Sequence, residues 1–68
     1  MSLDTNDRIM REFREERDYI SVCTIANRLR IPYHGVRNRC AKLESEGKLI
    51  RNGGLEEYID ASIVTRFV

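Results

Sequence analysis

Apolar positions in the middle of the chain recur on a helical period. Leu29, Val36 and Leu43 stand seven residues apart, Gly47 follows, and the pair Leu49-Ile50 precedes Arg51. Seven residues bring a helix back to the same face, so Val36, Cys40 and Leu43 mark the inner side of one helix, about 33–46. Pro32 disfavours helical geometry at Ile31, which places Leu29 on a preceding helix and leaves Arg30-Ile31-Pro32 as the turn. That preceding helix, about 22–30, carries Val22, Ile25, Ala26 and Leu29 at helical spacing, with Ser21 as its cap. A first helix, about 5–17, has Asp4, Thr5 and Asn6 as candidate caps and Ile9, Met10 and Phe13 on one face. Gly47 is the expected stop of the third helix. Beyond it, residues 48–59 have the composition of two short strands joined by Asn52-Gly53-Gly54.

Helix, turn, helix and hairpin in that order are the plan of a winged helix-turn-helix. The predicted class is α+β, mainly α, a single domain with a three-helix core and a C-terminal β-hairpin wing. Tyr19-Ile20, a β-favouring pair, suits a small first strand against the wing. Ala26 is small enough to let the second and third helices approach, and Ile31 should plug their junction. The tail, 60–68, keeps an apolar spacing of Ile63, Val64 and Phe67 with Asp60 as a cap. It could extend the wing strand, pack on the first helix or form a dimer contact. An apolar end left exposed is a liability, so a homodimer is expected.

A chain of 68 residues buries a modest fraction of its surface and has a thin stability margin. Hydrophobic residues at 41% and charged ones at 34% exclude a disordered chain. No apolar run is long enough for a membrane span, and the acidic, arginine-rich start has no signal-peptide core, so a cytoplasmic protein is expected, nucleoid-associated if it binds DNA. The net charge of +1 conceals an uneven distribution. Residues 1–20 carry −2, residues 56–68 carry −2, and residues 21–55, with seven basic side chains against Glu44 and Glu46, carry +5. Positive charge concentrated on the helix-turn-helix segment is the pattern of an oriented polyanion binder. The arginines Arg8, Arg11, Arg14 and Arg17 interleave with Glu12, Glu15 and Glu16 and read instead as a solvated, ion-paired face.

With Val36, Cys40 and Leu43 assigned to the core, the third helix turns Tyr33, His34, Arg37, Asn38, Ala41 and Lys42 outward, with Arg39 at the flank. Arginine can bind a guanine edge, and asparagine an adenine edge, through two parallel hydrogen bonds, which makes Arg37 and Asn38 the candidates for base contact. Arg39 and Lys42 are candidates for phosphate contact. Tyr33 and His34 either bond a phosphate or close the turn. Gly35 costs about 1 kcal/mol of helix propensity against alanine, explained by close approach of a sugar-phosphate chain or by tolerance. Arg51 and Asn52 are the wing candidates, but Glu56 and Glu57 follow at once, and strand alternation would turn at least one of them toward the DNA, so the wing should contribute little. Cys23 and Cys40 read as small buried side chains; a disulfide, a redox pair or a metal site with His34 are the alternatives, and the spacings match no usual zinc pattern.

Leu29, Val36, Leu43, Gly47 and Arg51 resemble the spine shared by winged-helix transcriptional regulators of the MarR, GntR and ArsR kinds, over about residues 20–59. The resemblance implies a DNA-facing side at Tyr33, His34, Arg37, Asn38 and Lys42 and a wing at Arg51 to Gly54. It is specific for the fold rather than for one family, since the matched positions are core and turn. The dimerisation helices or ligand domains of those families have no counterpart here, so no small-molecule effector is indicated. The size is more like a phage, plasmid or operon-local regulator, or a winged-helix piece of something larger. The asparagine-tyrosine pair of the winged helices that bind left-handed DNA is missing too.

The leading expectation is sequence-specific binding to double-stranded DNA by a transcriptional regulator. The alternative is a winged-helix protein-protein interaction module in a larger nucleic-acid-associated complex, where the basic face meets an acidic partner. No glycine-rich phosphate loop, metal-ligand spacing or nucleophile-base set appears, so neither an enzyme nor a cofactor is expected.

Overall fold

The computed structural model describes residues 4–65, of Thr65 the backbone only. The chain is α+β and mainly helical. Its elements in order are α1 (Thr5–Glu16), β1 (Ile20–Ser21), α2 (Val22–Leu29), α3 (Tyr33–Ser45), β2 (Leu49–Arg51), β3 (Glu57–Asp60) and α4 (Ala61–Thr65). The three predicted helices are present, each ending one residue short of its expected limit.

The helix ends have local causes. Ser21 caps α2, its Oγ accepting from the Thr24 amide at 3.1 Å, whereas Asp4 precedes α1 without a side-chain hydrogen bond. Arg17 and Arg30 terminate α1 and α2 in the left-handed region, with φ of 58° and 55°. Their amides bond back to Phe13 and Ala26 carbonyls, the αL pattern usually given to glycine. Ile31 donates its amide to Ala26 O at 3.1 Å and is half-buried against the core, closing the turn that Pro32 then converts into α3. Gly47 follows α3 at φ 79°, as the expected stop requires.

The three strands form one antiparallel sheet in the order β1-β3-β2. The register sets Ile20 opposite Tyr58 and Arg51 opposite that same tyrosine, with Ile50 opposite Ile59. The connection between β2 and β3 is longer than the three residues expected. Asn52, Gly53, Gly54, Leu55 and Glu56 all lie outside the strands, and Leu55 N–H closes a turn onto Asn52 O at 3.1 Å. Once the register places Arg51 against Tyr58, Leu55 has no partner on β2 and remains exposed.

Phe13, Ile9, Ile25, Val22, Val36, Cys40, Leu43 and Leu49 are fully buried in one cluster with Ile20 and Tyr58. Helices α1, α2 and α3 thus give their predicted apolar faces to the common core. Ala26 is buried as well, where α2 meets α3. The tail begins as a short helix. Asp60, the last residue of β3, caps it by accepting from the Ser62 amide at 2.8 Å and the Ser62 hydroxyl at 2.7 Å. Of the tail's apolar residues, Ile63 and Val64 are half-buried, and Phe67 lies outside the described residues. Among the described residues no helix is long and apolar enough to cross a membrane.

The two cysteines differ in environment, contrary to the expectation that both are buried. Cys40 is buried in the core and Cys23 is exposed on α2, because Val22 and Ile25 take the inward positions beside it; both thiols are free. Burial pushes the Cys40 thiol up to about 12 from 9.0 and raises the Tyr58 phenol, the latter first by burial and then by the charge of Glu44. A group held protonated in the folded state contributes stability that is complete below its unfolded pKa and is lost as pH rises toward the folded value. Stability should therefore decline from pH 9.0 upward as unfolded Cys40 ionises, a loss that Cys40→Ala would reduce in pH-dependent denaturant titrations. Near neutral pH an alkylating reagent should modify Cys23 in the native protein and reach Cys40 only after denaturation, read by mass spectrometry; equal rates at both would contradict the packing. Ser21→Ala should cost about 1 kcal/mol of unfolding free energy, while Asp4→Ala should leave it within a few tenths, as measured by urea titration.

Candidate nucleic-acid interface

Helix α3 is held on its inner side by Val36, Cys40 and Leu43, with Tyr33 half-buried at its start. At about 100° per residue, the direction opposite that stripe runs through His34, Asn38, Ala41 and Ser45, with Lys42 next to them. All five are exposed. Among the described residues, no helix or strand covers this side.

The predicted site residues separate into three groups. His34, Asn38 and Lys42 occupy the outward direction, and the His34 ring meets Tyr33 edge-on with centroids 5.8 Å apart. Arg37 and Arg39 lie on opposite flanks. Arg37 leans toward the hairpin, its Nε 2.9 Å from Glu56 Oε1, while Arg39 leans toward α1 and donates from Nη1 to Asn6 Oδ1 at 3.1 Å. The wing residues are occupied within the hairpin itself. Arg51 Nε donates to Leu55 O at 3.2 Å, and Asn52 Nδ2 donates to Glu57 Oε1 at 3.0 Å. The structure therefore brings Tyr33, His34, Arg37, Asn38 and Lys42 together on one helix and sets Arg51 and Asn52 apart from them.

The acidic pair expected to disturb the wing has a definite disposition. Glu57 binds Asn52, and Glu56 turns toward α3 to meet Arg37. The Glu56 backbone is itself fixed, since its carbonyl accepts from the Val22 amide at 2.9 Å at the start of α2. Sequence reasoning recognised the two carboxylates as out of place but not their partners, because the Arg37–Glu56 pairing depends on how far the loop folds back.

Charge pairing reduces the cationic island without abolishing it. Arg28 pairs with Glu12 and Glu16 of α1 at 3.6 and 3.4 Å, and Lys48 pairs with Glu46 at 3.7 Å. Arg30, Arg39, Lys42 and Arg51 have no carboxylate partner among the described residues, and all four are exposed. The expected ion-paired face of α1 is present in part: Arg11 pairs with Glu15 at 3.0 Å within the helix and Arg14 reaches the buried Asp60 of β3 at 3.5 Å, whereas Arg8 donates to Leu29 O at 3.5 Å and neither it nor Arg17 has a carboxylate partner among the described residues. Gly35 is in ordinary helical geometry, and a Cβ there would meet only Ile31 Cγ2 at 3.5 Å, so nothing inside the protein demands glycine at this position.

Compared with known proteins, the chain is matched by no family model, no curated protein and no solved structure.

Proposed function

We propose that the chain is a winged helix-turn-helix that binds double-stranded DNA sequence-specifically, as a transcriptional regulator, with α3 seated in the major groove. One observation carries the reading: Val36, Cys40 and Leu43 are buried while the opposite side of the same helix, His34, Asn38, Ala41 and Lys42, is bare. A helix anchored on one side and polar on the other is the shape a major groove admits. The turn between α2 and α3 and the short hairpin after α3 favour the same arrangement. In this reading Asn38 addresses a base edge, Lys42 and Arg39 lie beside the two phosphate chains, and Arg30 at the turn adds a further phosphate contact. The wing contributes the charge of Arg51 and little else.

A second reading, docking on an acidic protein surface, is favoured by the Arg37–Glu56 pair, which removes one cation from the free charge of α3. The two differ in their response to salt. The four cations of residues 21–55 that have no carboxylate partner among the described residues predict that log affinity for duplex DNA falls with log salt at a slope of about −3 to −4 per protein. Fluorescence anisotropy on random-sequence duplexes measures it, and binding that ignores salt, or no retention at low ionic strength, would reject the DNA reading. Lys42→Glu should weaken binding to all duplexes alike and reduce the slope by about 1 or more, with the circular dichroism spectrum unchanged. Two copies on a palindrome, with centres about one helical turn apart, are the expected arrangement for a homodimer, and selection of bound sites from random duplexes reports it.

A further inference from the structure

Arg37 is the α3 side chain best suited to reading guanine, and it is the one that a carboxylate holds. We propose that Glu56 is a specificity-determining positioning residue. By engaging the Nε edge of Arg37 it presents the terminal Nη1 and Nη2 donors of the guanidinium to a guanine in duplex DNA. The inference rests on the DNA-binding reading above and names the base that this part of the helix would address.

The geometry supports presentation rather than simple neutralisation. Glu56 Oε1 lies 2.9 Å from Nε, so the ion pair is made at the side of the guanidinium nearest the stem. The five N–H donors lie in one plane, and a carboxylate at Nε leaves the end-on pair, one hydrogen from each terminal nitrogen, free. Guanine offers O6 and N7 side by side as two acceptors, which is what that end-on pair matches. The side chains of Arg37 and Glu56 are 56% and 42% exposed, and an ion pair so wet contributes little to folding. It does restrict a long side chain on an exposed helix before any duplex arrives, so less rotamer freedom is lost on binding. Both ends are anchored, Arg37 by α3 and Glu56 by the bond from the Val22 amide to its carbonyl.

The carboxylate also acts on wrong sequences. A negative charge beside the duplex repels phosphates wherever the protein lands, whereas the guanine contact forms only where guanine is present. Specificity is the difference between the two affinities; the repulsion is common to both and lowers overall affinity, so Glu56 enlarges the difference through its hold on Arg37.

Selection from random duplex DNA with the native protein, Arg37→Ala, Glu56→Ala and Glu56→Gln tests the proposal, each variant first shown to be folded by circular dichroism. The native protein should prefer guanine at one position of its site by about tenfold or more, and Arg37→Ala should abolish that preference alone. Glu56→Ala should tighten binding to unrelated duplexes while reducing the guanine preference to within about threefold. Glu56→Gln, which keeps the size of the side chain and removes its charge, should lose it as well, because the contact is an ion pair. In NMR relaxation measurements the Arg37 Nε should be restricted in the native protein and mobile in both Glu56→Ala and Glu56→Gln. An unchanged guanine preference in Glu56→Ala, or in Arg37→Ala, would overturn the assignment while leaving DNA binding intact. Failure of the native protein to retain any duplex at low ionic strength would instead remove the DNA reading and this inference with it, whatever the mobility of Arg37.

Discussion

Strand β3 is the constraint on which the rest of the molecule depends. Four residues, Glu57–Asp60, pair with β1 on one side and β2 on the other, which makes this the central strand of a sheet whose outer members are only two and three residues long. Such short strands have little stability by themselves. They persist because Tyr58, Ile20 and Leu49 are buried in the same cluster as Phe13, Ile25 and Leu43, so that the sheet is secured by the helices it packs against. Asp60 extends the constraint, capping α4 with one carboxylate oxygen and facing Arg14 of α1 with the other.

From this arrangement the exposure of α3 follows. Its inner stripe is occupied by the core, its start is set by Pro32 and its end by Gly47, which leaves the helix without freedom to roll. Arg37 and Arg39 are consequently sent to opposite flanks, and the neighbour on each flank decides what each arginine does. The hairpin side supplies a carboxylate, the α1 side a neutral amide. Two residues of the same type, two positions apart, thus have different electrostatic surroundings, and the difference originates in the loop and the first helix rather than in α3.

The sequence was most legible where burial is periodic. Ile9, Phe13, Val22, Ile25, Val36, Cys40 and Leu43 repeat at helical spacing and all are inside. Ser21 and Gly47 punctuate the chain through chemistry that acts within a few residues, and the Asp60 cap belongs to the same class. Less legible were features set by distance in space. The extent of the loop after Arg51 and the partners of Glu56 and Glu57 depend on the register of β3 and on how close α3 lies to the hairpin. Arg17 and Arg30 at positive φ are a third kind of case, since nothing in an arginine announces a left-handed helix end. There the backbone requirement of the turn overrides the residue's own preference, at a cost of about 1–2 kcal/mol each.

The bond from the Val22 amide to the Glu56 carbonyl has a mechanical consequence. It ties the first residue of α2 to the base of the loop, beside the point where Ser21 faces Glu57 across the sheet. Hairpin and helix pair are therefore coupled like two plates sharing a rivet. A force applied at the loop is delivered to the front end of α2, and any molecule that pulls on one of them shifts the other.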